Sequence, residues 1–109
     1  EMELAANENG KLTALKLRAI GDTGAYASVG TKVLERVAGH DSAGYYVPVI
    51  DIEAKTVYTN NIHCGAKRGF GANQVSFAIE QCIDDLCKQA SFDRWQFRYD
   101  NALTDGLKT

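Results

Sequence analysis

The sequence predicts an α+β fold, a small antiparallel sheet with helices packed on one side, and three observations carry that prediction. An Asn-Gly turn joins two strand-like runs near the start, two later segments repeat apolar residues at helical spacing, and Thr56-Val57-Tyr58-Thr59 gathers β-formers between them. The elements follow in order. Residues 2–6 and 12–20 read as strands joined through Asn7-Glu8-Asn9-Gly10. In the second, Leu15, Leu17 and Ala19 share a face opposite Lys16 and Arg18. The glycines between 21 and 24 are expected to break this run. Val33, Leu34, Val37 and Ala38 then place a helix over about 27–39, with Gly39 as its stop. Gly44-Tyr45-Tyr46-Val47-Pro48 leads into extended chain, and 56–59 forms a strand.

The strongest helical pattern covers 74–90, where Val75, Ile79, Cys82, Ile83, Leu86 and Ala90 form one apolar face and Glu80, Asp84, Asp85 and Lys88 lie largely elsewhere. A shorter helix is expected over 93–103, with Asp93 as its cap and Trp95 and Tyr99 one turn apart. Tyr26 and Tyr46 are expected at core edges with partnered hydroxyls. Cys82 on the apolar face and Cys87 at its edge read as small packing residues.

Composition narrows the function classes. At 109 residues the chain makes one domain, and 45% hydrophobic with 24% charged residues is ordinary for a soluble globular protein. A net charge of −2 argues against general nucleic-acid binding. No apolar run reaches membrane-spanning length. Three cysteines without metal-ligand spacing fit a reducing compartment, so a cytoplasmic protein is expected. His40 and His63 have no Ser or Cys at recognisable spacing, which leaves no hydrolase triad to argue. The chain opens at Glu1 inside a strand-like run and closes soon after a helix, so an internal fragment of a larger protein is expected.

One stretch carries chemistry: Cys64-Gly65-Ala66-Lys67-Arg68-Gly69-Phe70-Gly71-Ala72-Asn73-Gln74, running into the 74–90 helix. Glycines let the backbone approach a ligand closely, and the first amides of a helix have no internal partner. Such a turn presents amides to an anion or a polarised oxygen, with Arg68 adding fixed charge and Phe70 a flat apolar face. The third glycine of a dinucleotide fingerprint is missing.

The order Gly24-Ala25-Tyr26, Tyr46-Val47-Pro48, Thr59-Asn60, Ala66, Arg68-Gly69-Phe70-Gly71, Gln74, Glu80 and Arg98-x-x-Asn101 resembles the molybdenum-cofactor-binding subunit of the xanthine dehydrogenase and aldehyde oxidase family. The resemblance implies an internal piece of a larger molybdopterin-binding domain in an oxidoreductase. Such enzymes hydroxylate a heteroaromatic or aldehyde with oxygen from water and pass electrons through iron–sulfur centres and commonly FAD, in domains or subunits elsewhere. It implies cofactor contacts at Ala66, Arg68 and Gly69, and substrate contacts at Arg36 and Phe70. Arg36 falls where purine-oxidising members hold a substrate oxygen, which implies a purine-like substrate, with an aldehyde or another aromatic as the nearest alternative. Arg36 also reads as a solvated helix residue paired with a nearby acid. Glu80 reads as a partner for backbone or Arg98.

Two residues depart from the family pattern, Lys67 where an aromatic is common and Asn73 where proline is common. The family's catalytic glutamate lies outside this stretch, so no catalytic residue is expected here and the piece alone is expected to be inactive. A protein metal ligand is not expected either, although Cys64 offers a thiolate; in the family the metal is held mainly by pterin sulfurs. A non-catalytic α+β interaction domain with a filled pocket is the alternative from another class. An excised piece exposes faces covered in its parent, so self-association is expected.

Overall fold

The computed structural model describes residues 1–107. Its elements are β1 (Met2–Ala6), β2 (Leu12–Gly24), α1 (Gly30–Gly39), β3 (Ile50–Tyr58), α2 (Ala72–Ala90) and α3 (Arg94–Asn101). The three strands form one sheet in the order β1-β2-β3. The α+β class holds, with one correction: β1 pairs with β2 antiparallel, but β3 runs parallel to β2, so the sheet is mixed. A parallel neighbour needs a crossover long enough to bring the chain back, and α1 supplies it between β2 and β3.

The hairpin is closed at Asn7, whose side-chain oxygen accepts from the Asn9 and Lys11 amides at 3.0 Å each, while Gly10 turns the chain at a φ of 73°. The glycines at 21 and 24 do not end β2. Gly21 pairs with Thr56 and Gly24 with Tyr58, and Leu34 of α1 packs where a Gly21 side chain would stand. β3 begins at Ile50, earlier than β-former density suggests, because Ile50, Ile52 and Ala54 alternate with the charged Asp51, Glu53 and Lys55.

α1 packs on β2 and β3, and α2 on β1. Both cover the face that carries Leu15 and Leu17, while Lys16 and Arg18 on the other face pair with Glu3, Asp51 and Glu53. The core joins Leu12, Leu15 and Leu17 to Tyr45, Val47, Val75, Ile79, Ile83, Cys87 and Phe97. Ile79 and Ile83 are fully buried, and burial of such side chains contributes about 1.5–3 kcal/mol each. The two cysteines of α2 exchange the places expected of them: Cys87 is buried in the core and Cys82 half-buried, its thiol 3.6 Å from the Met2 carbonyl. Burial pushes both thiols up from their ordinary pKa.

The tyrosines also need correcting. Tyr26 is 73% exposed and Tyr46 38%, whereas Tyr45 is the buried one. Its hydroxyl donates to Glu80 Oε1 at 2.6 Å, and burial together with that carboxylate pushes its pKa up to about 12. Glu80 also receives Arg98, Nε to Oε2 at 2.8 Å, as the sequence suggested. Partial burial opposes the Arg98 charge, but hydrogen bonds to Asp84 and Glu80 outweigh it and raise the pKa.

α3 spans 94–101 and is capped by Asp93, whose carboxylate accepts from the Gln96 amide at 2.7 Å. Trp95 and Tyr99 stack on its exposed side, ring centres 5.3 Å apart.

Candidate functional site

Residues 59–71 link β3 to α2, and three successive left-handed residues shape the end of that link. Gly69, Phe70 and Gly71 have φ of 75°, 48° and 105°. For a side chain as large as Phe70 this is unfavourable, and such strain persists only where the surroundings impose it. The turn closes through the Ala72 amide, which donates to the Gly69 carbonyl at 3.0 Å, and the Val75 amide, which donates to Gly71 at 3.3 Å. Gly71 caps α2 with no side-chain hydrogen bond. It abuts α1: a Cβ on Gly71 would lie 2.4 Å from the Val33 carbonyl oxygen and 3.3 Å from Arg36 Cβ.

Among the described residues the amides of Gly65 through Gly71 donate to no backbone carbonyl, and the last anchored one is Cys64, 3.3 Å from the Thr23 carbonyl. A cavity of about 160 Å³ lies beneath, lined by the end of β2 (Asp22, Thr23), by α1 (Val33, Leu34) and by Ala66 and Gln74.

The structure brings the expected site residues partly together. Ala66 lines the cavity. Arg68 and Gly69 are exposed on the loop, and Phe70 is half-buried and outside the hydrophobic core. Arg36 stands in the last turn of α1, next to Gly71 rather than in the cavity. The acid partner considered for Arg36 does not materialise: Glu35 pairs instead with Lys32 at 2.9 Å, and neither Arg36 nor Arg68 forms an ion pair among the described residues. Lys67 is exposed. Asn73 sits in the first turn of α2, where proline is also tolerated. Cys64 is exposed, and its thiol faces the Asp22 carbonyl at 3.2 Å.

Sequence reasoning missed Asp22. Its carboxylate accepts from Thr59 Oγ1 and Asn61 Nδ2 at 2.6 Å each, and from the Gly24 amide at 2.7 Å. These bonds, Thr59 first, hold its carboxyl below the ordinary carboxylate range. Because the folded-state value is depressed, the stability they contribute is complete above the unfolded pKa and is lost as pH falls through the folded one. The partners lie 37 and 39 residues away, so no local spacing signals them.

A family model described as a molybdopterin cofactor-binding domain matches residues 1–102. The chain is 42% identical over 103 residues to the nicotinate dehydrogenase large molybdopterin subunit of Eubacterium barkeri, covering 94% of this chain and 24% of that subunit. It is 35% identical over 106 residues to the xanthine dehydrogenase molybdenum-binding subunit of Escherichia coli, covering 95% of this chain and 14% of the relative. Among solved structures, the aldehyde oxidoreductase of Desulfovibrio gigas superposes with a TM-score of 0.92 at 35% identity, over 97% of this chain and 12% of that one. The chain therefore spans a quarter or less of the proteins it matches. On the family match and these identities, it belongs to the molybdopterin cofactor-binding domain family of the molybdenum hydroxylases.

Proposed function

We propose that residues 1–109 are a single piece of the cofactor-binding region of a molybdenum-dependent oxidoreductase, and that the parent protein hydroxylates a purine-like heteroaromatic with water as the oxygen source. The observation that carries this reading is the family match across residues 1–102. Two relatives are named for nicotinate and xanthine, both nitrogen heteroaromatics. The structural match to an aldehyde oxidoreductase favours the second reading, an aldehyde substrate on the same scaffold.

The residues present fit an oxygen-rich anionic cofactor. Among the described residues the amides from Gly65 to Gly71 donate to no protein acceptor, which leaves them able to meet a ligand, and Arg68 beside them is a cation with no protein counter-ion. We assign the cofactor contact to Ala66, Arg68 and Gly69. When bound, the molybdenum–pterin group supplies the two-electron acceptor, and iron–sulfur and FAD domains or subunits elsewhere in the parent carry the electrons onward.

This chain's own part is binding and orientation. Phe70, held outside the core, offers a ring face for a flat substrate. Its position counts against the interaction-domain alternative, which needs Phe70 packed inside. Arg36 presents a permanently charged planar fork for a substrate oxygen that gains negative charge. Exposed Ile20, Phe77, Trp95 and Tyr99 support self-association of the isolated piece. Free Cys64, Cys82 and Cys87 support a cytoplasmic location.

The substrate class is tested by Arg36→Ala in the full-length protein, assayed by dye reduction with xanthine and a simple aldehyde side by side. Loss of one donor aimed at developing charge predicts a fall in xanthine kcat of about 10²-fold with molybdenum content unchanged. Equal turnover of the variant and the parent on xanthine removes Arg36 from the site. Aldehyde turnover indifferent to the change, with xanthine inert throughout, selects the second reading.

A further inference from the structure

Among the described residues the stretch from Gly65 to Gly71 is held by backbone hydrogen bonds only at its two ends. One end is α2, through the Gly69 carbonyl and the Ala72 amide. The other is the strip from Thr59 to Cys64, which lies against the end of β2. Three backbone bonds hold that strip: Thr59 amide to Gly24 carbonyl at 3.1 Å, Ala25 amide to Asn61 carbonyl at 3.1 Å, and Cys64 amide to Thr23 carbonyl at 3.3 Å. The approach is so close that a Cβ on Gly24 would stand 2.4 Å from the Ile62 carbonyl oxygen. The side-chain bonds converge on one group. Thr59 Oγ1 and Asn61 Nδ2 both donate to the Asp22 carboxylate at 2.6 Å, and Thr59 Oγ1 itself accepts from the Asn61 amide at 3.1 Å. Asp22 also lines the cavity beneath Ala66.

We propose that Asp22 is a positioning residue for the cofactor-facing segment: through Thr59 and Asn61 its carboxylate fixes where the Gly65–Gly71 amides stand. Bonds to an ionised acceptor are short and strong, and a binding constellation on a loop depends on the shell that supports it. The inference rests on the cofactor reading above.

The test compares Asp22→Ala, Asn61→Asp and the exchanged pair D22N/N61D in the full-length protein. The readouts are hydrogen exchange of peptides covering 59–71 and molybdopterin content. The two single changes should speed exchange of the bonded amides of Thr59, Asn61 and Cys64 on the order of tenfold, the scale of losing charge-assisted bonds, with α2 around Ile79 and Ile83 unaffected. Molybdopterin content should fall with them. The exchanged pair reverses donor and acceptor and should restore both readouts, a recovery that simple loss of packing would not give. If Asp22→Ala unfolds the chain, seen as faster exchange at Ile79 and Ile83, Thr59→Val removes only the two bonds of its hydroxyl and should move the loop in the same direction. Unchanged loop exchange in the folded variants, or no recovery in the exchanged pair, overturns the proposal. Faster loop exchange with full molybdopterin content also overturns it, because the clasp then holds the loop without serving the cofactor, whereas unaltered full-length protein without molybdopterin overturns the cofactor reading itself.

Discussion

Gly71→Ala should destabilise the protein by about 3 kcal/mol, combining the cost of a left-handed alanine with that of overpacking. The residue sits at a φ of 105°, and its added Cβ would meet the Val33 carbonyl oxygen at 2.4 Å, which is backbone and cannot rotate away. Relief requires α1 and α2 to separate, and with them Arg36 and the Gly69–Gly71 turn. The loss is a large share of the roughly 5–15 kcal/mol that holds a typical domain. Gly39→Ala is the matched control, since no atom lies within 4 Å of its Cβ position and alanine favours helix. Denaturant midpoints of the two variants decide the matter: Gly71→Ala should fall well below Gly39→Ala. Equal midpoints would mean that the α1–α2 contact at Gly71 is wrong.

Asn101→Ala should cost a similar amount, about 3 kcal/mol, because it strands several buried backbone groups at once. Asn101 is 5% exposed and closes three elements together. Its Oδ1 accepts from the Leu12 amide at 2.8 Å, and its Nδ2 donates to the Gly10 carbonyl at 2.7 Å and the Phe97 carbonyl at 2.8 Å. The β1–β2 hairpin, α3 and the strip at Tyr46, whose amide meets the Asn101 carbonyl at 2.9 Å, all meet there. Asn101→Asp keeps the acceptor for Leu12 but turns a donor toward two carbonyls into a second acceptor. It should be at least as damaging as alanine at neutral pH, where the new carboxylate is charged. Thermal melts of both variants check this, and an Asn101→Asp protein as stable as wild type would refute it.

What the sequence disclosed about the fold has a physical pattern. The hairpin was legible because Asn7 to Gly10 contains its own turn chemistry, and α2 because its apolar residues recur over nineteen positions. The Asp93 cap was legible because capping is local, three residues from donor to acceptor. The direction of β3 was not, since antiparallel and parallel partners look alike residue by residue; the strand–helix–strand order of β2, α1 and β3 was the available signal. Tyr45 and Tyr46 are neighbours of one type, and only the bridge of Tyr45 to distant Ala102 decides which one faces Glu80.

The candidate site divides in the same way. Arg68, Gly69 and Phe70 stand out because two glycines around an aromatic at a helix start are locally odd, and the structure shows left-handed backbone there. Arg36 beside Gly71, and Asp22 beneath Thr59 and Asn61, depend on how distant elements pack. Contacts of that range leave no spacing to read. The Arg98-x-x-Asn101 pattern was visible as a resemblance, but its physical content came only with coordinates: Arg98 closes on Glu80 and Asp84, and Asn101 on backbone.

The role proposed for the Gly65–Gly71 turn has one plain consequence: a full-length protein that carries a molybdenum–pterin cofactor and uses it. Molybdenum and pterin content of the purified full-length protein, read together with substrate-dependent dye reduction on xanthine and an aldehyde, examines this without any variant. Stoichiometric molybdenum and pterin are expected, with turnover of at least one of the two substrates and xanthine the better. Folded full-length protein that carries neither metal nor pterin, and reduces no dye with either substrate, would contradict it.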